Sequence, residues 1–262
     1  MPWIGRMHMV VAMDSQVPSW VNRDTVDVVL HEQIIPQYQL PTFNTMTIVK
    51  FMSFAPGLSQ KYVMSCDDFY AVNPISRDIL FDKDGVGLNS SDSSACIEFN
   101  DLWQYGRISR NTYAKFRDYC NRNGLSSKLD EVFGASGNKH PVFLHNFVPC
   151  DRNEATKVLK DTGILDEEYE KTRSPGDSCT IEMLCWLNML RTSPGCGPRT
   201  TTVYNEPEKD EVWNSIEHFK TYMDRVTKGV HCLCVNSHTE WTRAATAEWF
   251  ESKFPEKCKY EI

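Results

Sequence analysis

Asp67 and Asp68 stand side by side just past the apolar run Tyr62-Val63-Met64. The run reads as a buried strand, and in open α/β sheets ligands bind beyond the carboxyl ends of strands. Two carboxylates delivered to such an edge are hard oxygen donors of the kind Mg2+ or Mn2+ takes when it holds a phosphate. The same pair also suits a helix N-cap or a solvated turn. His145 follows a second apolar run, Val142-Phe143-Leu144, and an imidazole there could accept a proton near neutral pH. Asn236 follows a third, Val230 to Val235, and could supply a neutral ligand or hydrogen bond, although asparagine after a strand is an ordinary turn former. Arg173 carries a planar fork that meets phosphate oxygens two at a time; taken alone it reads as a solvated loop residue. Phosphoryl transfer needs a cation or arginine clamp on the developing charge and a base near the accepting hydroxyl. These residues are of the types that supply both.

Other clusters are less suited to chemistry. Cys232 and Cys234 share one face of a strand while His231 takes the other, so a zinc site with His238 is not expected. Gly195-Cys196-Gly197 lacks the Gly-Lys-Ser/Thr of a phosphate loop. The ten cysteines are irregularly spaced, several in apolar surroundings. They read as buried thiols; a disulfide set, if present, cannot be paired from sequence. The 262 residues are 41% hydrophobic and carry a net charge of −7, which argues against nucleic acid as a main partner. No apolar run approaches the length of a bilayer span, so no transmembrane segment is expected. Met9 to Met13 reads as a strand and not as a signal peptide.

The elements that must hold the candidates follow from periodicity and punctuation. Met7 to Met13 and Thr25 to Leu30 read as strands, and Phe43 to Phe54 as a helix stopped by Ala55-Pro56-Gly57. Residues 82–101 read as loop or hairpin around Ala95 to Phe99. Ser109 is expected to cap a helix that closes at Asn123-Gly124. Further helices are expected over residues 152–160, 180–191, 211–228 and 242–254, the second of them apolar almost all round and hence buried. Strands alternating with helices predict an α/β fold, with a mostly parallel central sheet and helices on both faces. No repeat or low-complexity linker divides the chain, so residues 1–262 are expected to form one domain.

Residues 2–82 resemble the second signature region of the Stealth family of sugar-phosphate transferases. The matching pieces are Pro2-Trp3-Ile4, Met9-Val10-Val11, Ser15-Gln16-Val17-Pro18-Ser19-Trp20, His31-Glu32, Leu40-Pro41-Thr42-Phe43, Pro56-Gly57-Leu58-Ser59 and Asp67-Asp68-Phe69. Residues 139–192 resemble the third region through Leu144-His145, Pro149, Asp151-Arg152, Lys171-Thr172-Arg173 and Asp177. Residues 229–262 resemble the fourth through Cys234-Val235-Asn236, Trp249-Phe250-Glu251-Ser252, Phe254-Pro255 and Tyr260-Glu261. The family includes capsule-polysaccharide phosphotransferases and the N-acetylglucosamine-1-phosphotransferase alpha/beta subunit. The resemblance therefore implies a nucleotide-sugar-transferase-like fold, a nucleotide-sugar donor and a glycan or polysaccharide acceptor. It implies transfer of a hexose-1-phosphate, such as N-acetylglucosamine-1-phosphate, to a sugar hydroxyl. In that scheme Asp67 and Asp68 hold Mg2+ or Mn2+, Arg173 holds the phosphate and His145 is the base. Substrate contacts are expected from Gln16, Asn44 and Asn236. The resemblance leaves the compartment open: Golgi lumen for a eukaryotic member, cytoplasm for a bacterial one.

Three positions depart from the family pattern. Cys66 stands where the family has asparagine, Val49 where it has glutamate, and Ser237 where it has aspartate. The family's first region has no counterpart, so the N-terminal part of the fold is expected to be missing. A diverged, non-catalytic protein that binds a glycan or a partner on the same scaffold is the alternative expectation.

Overall fold

Met7–Val11 (β1) and Val26–Leu30 (β2) pair in parallel, Met7 opposite Val26 and Val11 opposite Leu30. The computed structural model describes residues 1–65, 69–88, 92–134, 139–142, 147–191, 202–205, 215–235 and 239–262. After β2 come a single helical turn, His31–Ile34 (α1), and Thr45–Phe51 (α2), which a 3-10 turn extends to Phe54. Asn44 caps α2 by accepting the Met46 N–H at 2.9 Å, which satisfies one of the orphan donors of the first turn. Phe43, expected inside this helix, lies outside it and is 82% exposed.

Two faces of α2 are buried, and this makes it the hinge pin of the packing. Ile48 and Phe51 join Val29, Ile34 and Ile35 in one cluster. Met46 and Val49 join a second cluster with Met64, Ile108, Val148, Ile181 and Leu184. The second cluster brings α2 against Lys61–Met64 (β3) and against three elements farther along the chain: Gln104–Arg122 (α4), Val148–Asp151 (β7) and Thr180–Arg191 (α7). Between β3 and α4 lie Phe69–Ala71 (β4), Arg77–Leu80 (α3) and Asp92–Glu98 (β5). Between α4 and β7 lie Ser126–Phe133 (α5) and Lys139–Val142 (β6), and Arg152–Asp161 (α6) follows β7. The chain then adds Thr202–Asn205 (β8), Ile216–Val226 (α8), Cys232–Val235 (β9) and Glu240–Lys253 (α9).

α7 is buried from Thr180 through Leu190, as an all-round apolar helix must be. Trp186 anchors the largest aromatic group of the core, packed against Tyr113, Phe116 and Phe133. β9 shows strand alternation: Leu233 packs with Phe219, Met223 and Trp249 of α8 and α9, while Cys232 and Cys234 pack with Ile75, Phe81 and Phe147 on the other face. Cys120, Cys150, Cys179, Cys185, Cys232 and Cys234 are buried, and burial pushes the thiols of Cys150 and Cys179 up to about 12.

One expectation holds in part and one is corrected. The described residues mix helices and strands, compatible with α/β, but the described strands do not form one mostly parallel central sheet. β1–β2 is parallel, β3–β7 and β5–β6 are antiparallel, and β9 sits between antiparallel β4 and parallel β8. The crossover rule fixes strand direction only for consecutive strands that are neighbours; β3 and β4 instead pair with strands from far along the chain. Secondly, α4 starts at Gln104, not at Ser109. Ser109 lies buried inside it and donates to Glu182 Oε1 at 2.9 Å, so a tertiary partner overrides its capping preference. Gly106, also inside α4, is where a side chain would collide with the Asn100 carbonyl. Among the described residues no helix is long and apolar enough to cross a membrane.

Candidate functional site

Asp67, Asp68, His145 and Asn236 lie outside the described residues, but the strands that flank Asp67-Asp68 and His145 and the strand before Asn236 do not. Met64 pairs with Val148, so the chain leaves β3 at the edge where it enters β7. Phe69 pairs with Cys234, so the chain enters β4 at the edge where it leaves β9. Met64 and Phe69 are five positions apart, so chain length alone keeps these two edges within about 18 Å. One described flank of each candidate thereby belongs to these two antiparallel pairings, whereas β6, before His145, pairs with β5.

Arg173 sits on an exposed loop between α6 and α7, and this loop is fastened from three sides. From α2, the Asn44 Nδ2 faces three acceptors: the carbonyls of Glu170 and Thr172, each at 3.1 Å, and Asp177 Oδ2 at 2.8 Å. Asp177 Oδ2 also accepts the Ser174 N–H at 2.8 Å. From α4, Gln104 Nε2 donates to the Arg173 carbonyl at 2.7 Å and Asn111 Nδ2 to the Pro175 carbonyl at 2.8 Å. The Phe43 N–H closes the third side on the Lys171 carbonyl at 2.8 Å.

Below the loop runs a band of buried polar side chains. Lys50 of α2 is fully buried, donates to the Glu167 carbonyl at 2.5 Å and lies 4.2 Å from the Tyr169 ring centre. Burial lowers its ammonium to about 8, against the pull of Glu167, Asp177, Asp166 and Glu168. Tyr169 donates to Glu167 Oε2 at 2.8 Å and accepts the Ser178 N–H at 3.2 Å. Glu182 of α7 is fully buried, and that burial raises its carboxyl to about 8 despite the hydrogen bond from Ser109. Its Oε2, like the hydroxyls of Thr47, Ser178 and Thr180, has no hydrogen-bond partner among the described residues.

The structure brings Asn44 to the loop that carries Arg173 and leaves Gln16 in its own turn. Gln16 Oε1 accepts the Ala12 and Met13 N–H groups at 2.8 and 3.2 Å, shaping the bend after β1. Val49, at the position where the resemblance expects a glutamate, is 5% exposed within the apolar cluster. Lys50, Asp177 and Glu182 carry no role in the sequence reading. A signal for two of them existed: Thr-Ile-Val-Lys-Phe and Thr-Ile-Glu-Met-Leu each embed one charge in an apolar run.

Comparison with known proteins agrees with the motifs. The family model described as Stealth protein CR2, conserved region 2, matches residues 1–88. An exopolysaccharide phosphotransferase (cps2G) of Lactiplantibacillus plantarum is 30% identical over 103 residues, 38% of this chain and 30% of that protein. A capsular polysaccharide phosphotransferase (fcs1) of Haemophilus influenzae is 23% identical over 172 residues, 65% of this chain and 43% of that protein. The capsular polysaccharide phosphotransferase LcbA of Neisseria meningitidis is 30% identical over 89 residues, 33% of this chain and 24% of that protein. The chain thus spans less than half the length of these relatives. Residues 1–88 thus match conserved region 2 of the Stealth proteins, which covers about a third of the chain.

Proposed function

We propose that the chain transfers a sugar phosphate, specifically a hexose-1-phosphate such as N-acetylglucosamine-1-phosphate, from a nucleotide-diphosphate sugar to a sugar hydroxyl of a glycan or polysaccharide. The observation that supports this reading is the pairing of β3 with β7 and of β4 with β9, which links the chain on both sides of Asp67-Asp68 to the strand after His145 and the strand before Asn236. The phosphotransferase names of the relatives support it. In this scheme Arg173 binds the donor's phosphate through its fork, His145 takes the proton of the attacking hydroxyl, and Asn236 hydrogen-bonds the donor. Asp67 and Asp68 are oxygen donors chemically suited to Mg2+ or Mn2+. A cation held there supplies charge neutralisation on the donor's phosphates.

The test is incubation with a labelled UDP-sugar, Mg2+ or Mn2+, and oligosaccharide acceptors. Transfer that Asp68→Ala and His145→Ala abolish supports the proposal. One observation favours the non-catalytic alternative: Val49 is packed in the apolar core where the resemblance expects an acid. Glycan binding by calorimetry with no transfer under any cation decides for that alternative.

A further inference from the structure

We infer that Asn44 and Asp177 are positioning residues for Arg173, fixing the backbone of residues 170–177 so that the guanidinium is presented in one place. The inference rests on the transfer reading of Arg173 and reassigns Asn44, whose expected part was contact with substrate. Asn44 is 0% exposed, its nitrogen faces three acceptors and its oxygen takes the Met46 N–H, so its polar atoms are committed within the protein. Asp177 is equally enclosed, at 2% exposed, and its Oδ2 takes both Asn44 and the Ser174 N–H.

The geometry around Arg173 is specific. The peptide unit between Arg173 and Ser174 is held at both ends, its carbonyl by Gln104 and its N–H by Asp177. The preceding carbonyl, that of Thr172, is held by Asn44. An arginine side chain brings a large rotamer entropy that must be given up when it grips a phosphate. Fixing the backbone beneath it removes a second share of disorder, which is how preorganised charge assists transfer. Asn44 couples this to the core, because the same side chain that caps α2 also holds the loop.

The experiment compares Asn44→Ser, Asp177→Ala, Arg173→Ala and the Asn44→Ser/Arg173→Ala double variant. Serine keeps a capping oxygen on α2 and drops the amide donor, so the chain should stay folded. Three readouts are needed: hydrogen exchange of amides 170–175, the transfer rate, and titration of inorganic pyrophosphate. We expect faster exchange confined to 170–175 in Asn44→Ser and Asp177→Ala, a fall in kcat of about tenfold, and weaker pyrophosphate binding. In the Arg173→Ala background Asn44→Ser should cost nothing more, since a residue that acts through another is silent once the other is gone. An equal loss with and without Arg173, or unchanged exchange at 170–175, overturns the clamp and leaves the transfer reading standing. Full transfer by Arg173→Ala, or no transfer and no pyrophosphate binding by the unaltered chain, overturns the transfer reading and the clamp's function with it.

Discussion

The corner where α2 meets α7 and the rim formed by β1, β2 and the 258–262 tail use the same residue types to different ends. In the corner, Asn44, Lys50, Asp177 and Glu182 are buried, and their bonds cross between elements 117 to 133 positions apart in sequence for Lys50 and Asn44. On the rim, Arg6 meets Asp27 at 2.7 Å and Arg23 meets Asp14 at 2.7 Å, both in the open. The rim is tied together by bonds to backbone carbonyls: Ile262 N–H to Trp20 and Asn22 N–H to Tyr260, each at 2.8 Å, and the side chains of Asn22 and Thr25 to Lys259. Polar contacts made in the open exchange water for protein at little net gain, whereas enclosed ones are costly to leave unmade. The corner therefore holds the contacts that specify structure, and the rim's ion pairs mostly decorate it.

Substitutions can break this contrast. The largest effect is expected from Val49→Glu, which puts a carboxylate into the apolar cluster beside Met64 and Leu184. An uncompensated buried charge costs about 3–5 kcal/mol, so thermal melting should show a drop of roughly ten degrees at neutral pH. Unchanged stability would mean that a cation or arginine reaches that position. Next comes Asn44→Ala, which removes a helix cap and strands Asp177 and two carbonyls, for a loss of about 2–4 kcal/mol read by chemical denaturation.

A third effect is a pH dependence with two limbs. Glu182 keeps its proton up to about 8 in the folded chain against 4.5 ordinarily, so the native state binds more protons in that window and stability falls as pH rises through it. Lys50 releases its proton near 8 in the folded chain against 10.5 ordinarily, so the unfolded state binds more protons there and stability climbs again above 8. Melting temperature against pH should pass through a minimum near 8. Glu182→Gln should flatten the acid limb, and Lys50→Met the alkaline one. A profile that is level from 5 to 10 in the unaltered chain would refute both assignments. The smallest effect is Arg23→Ala, for which no change in melting temperature is expected, at low or high salt.

Local pattern made much of this fold legible. α7 was readable over Thr180–Arg191 because a buried helix has no polar stripe to hide its ends, and α6 because Asp151 caps it and Gly163 follows with φ 76°. Sheet direction was not readable: β3 finds its partner across more than eighty residues, and no local rule reaches that far. Ser109 misled because capping preference is a local quantity and Glu182 is not local. Of the site, the resemblance pointed to Asn44 and Arg173 separately, but the hold of Asn44 on the loop of Arg173 depends on how a segment 126 positions away folds back onto α2. With the helix expected from Phe43, neither the cap that Asn44 places on α2 nor its hold on a distant loop was legible.

α2 has one further consequence, for the way the molecule comes apart. Ile48 and Phe51 belong to the layer with β2, while Met46 and Val49 belong to the layer with β3, β7 and α7. Neither layer can melt alone without baring one side of a seven-residue helix that is too short to persist by itself. Unfolding of the two layers is therefore coupled through a single element, and calorimetry should record one shared transition for β1–β2 and the helical core instead of two.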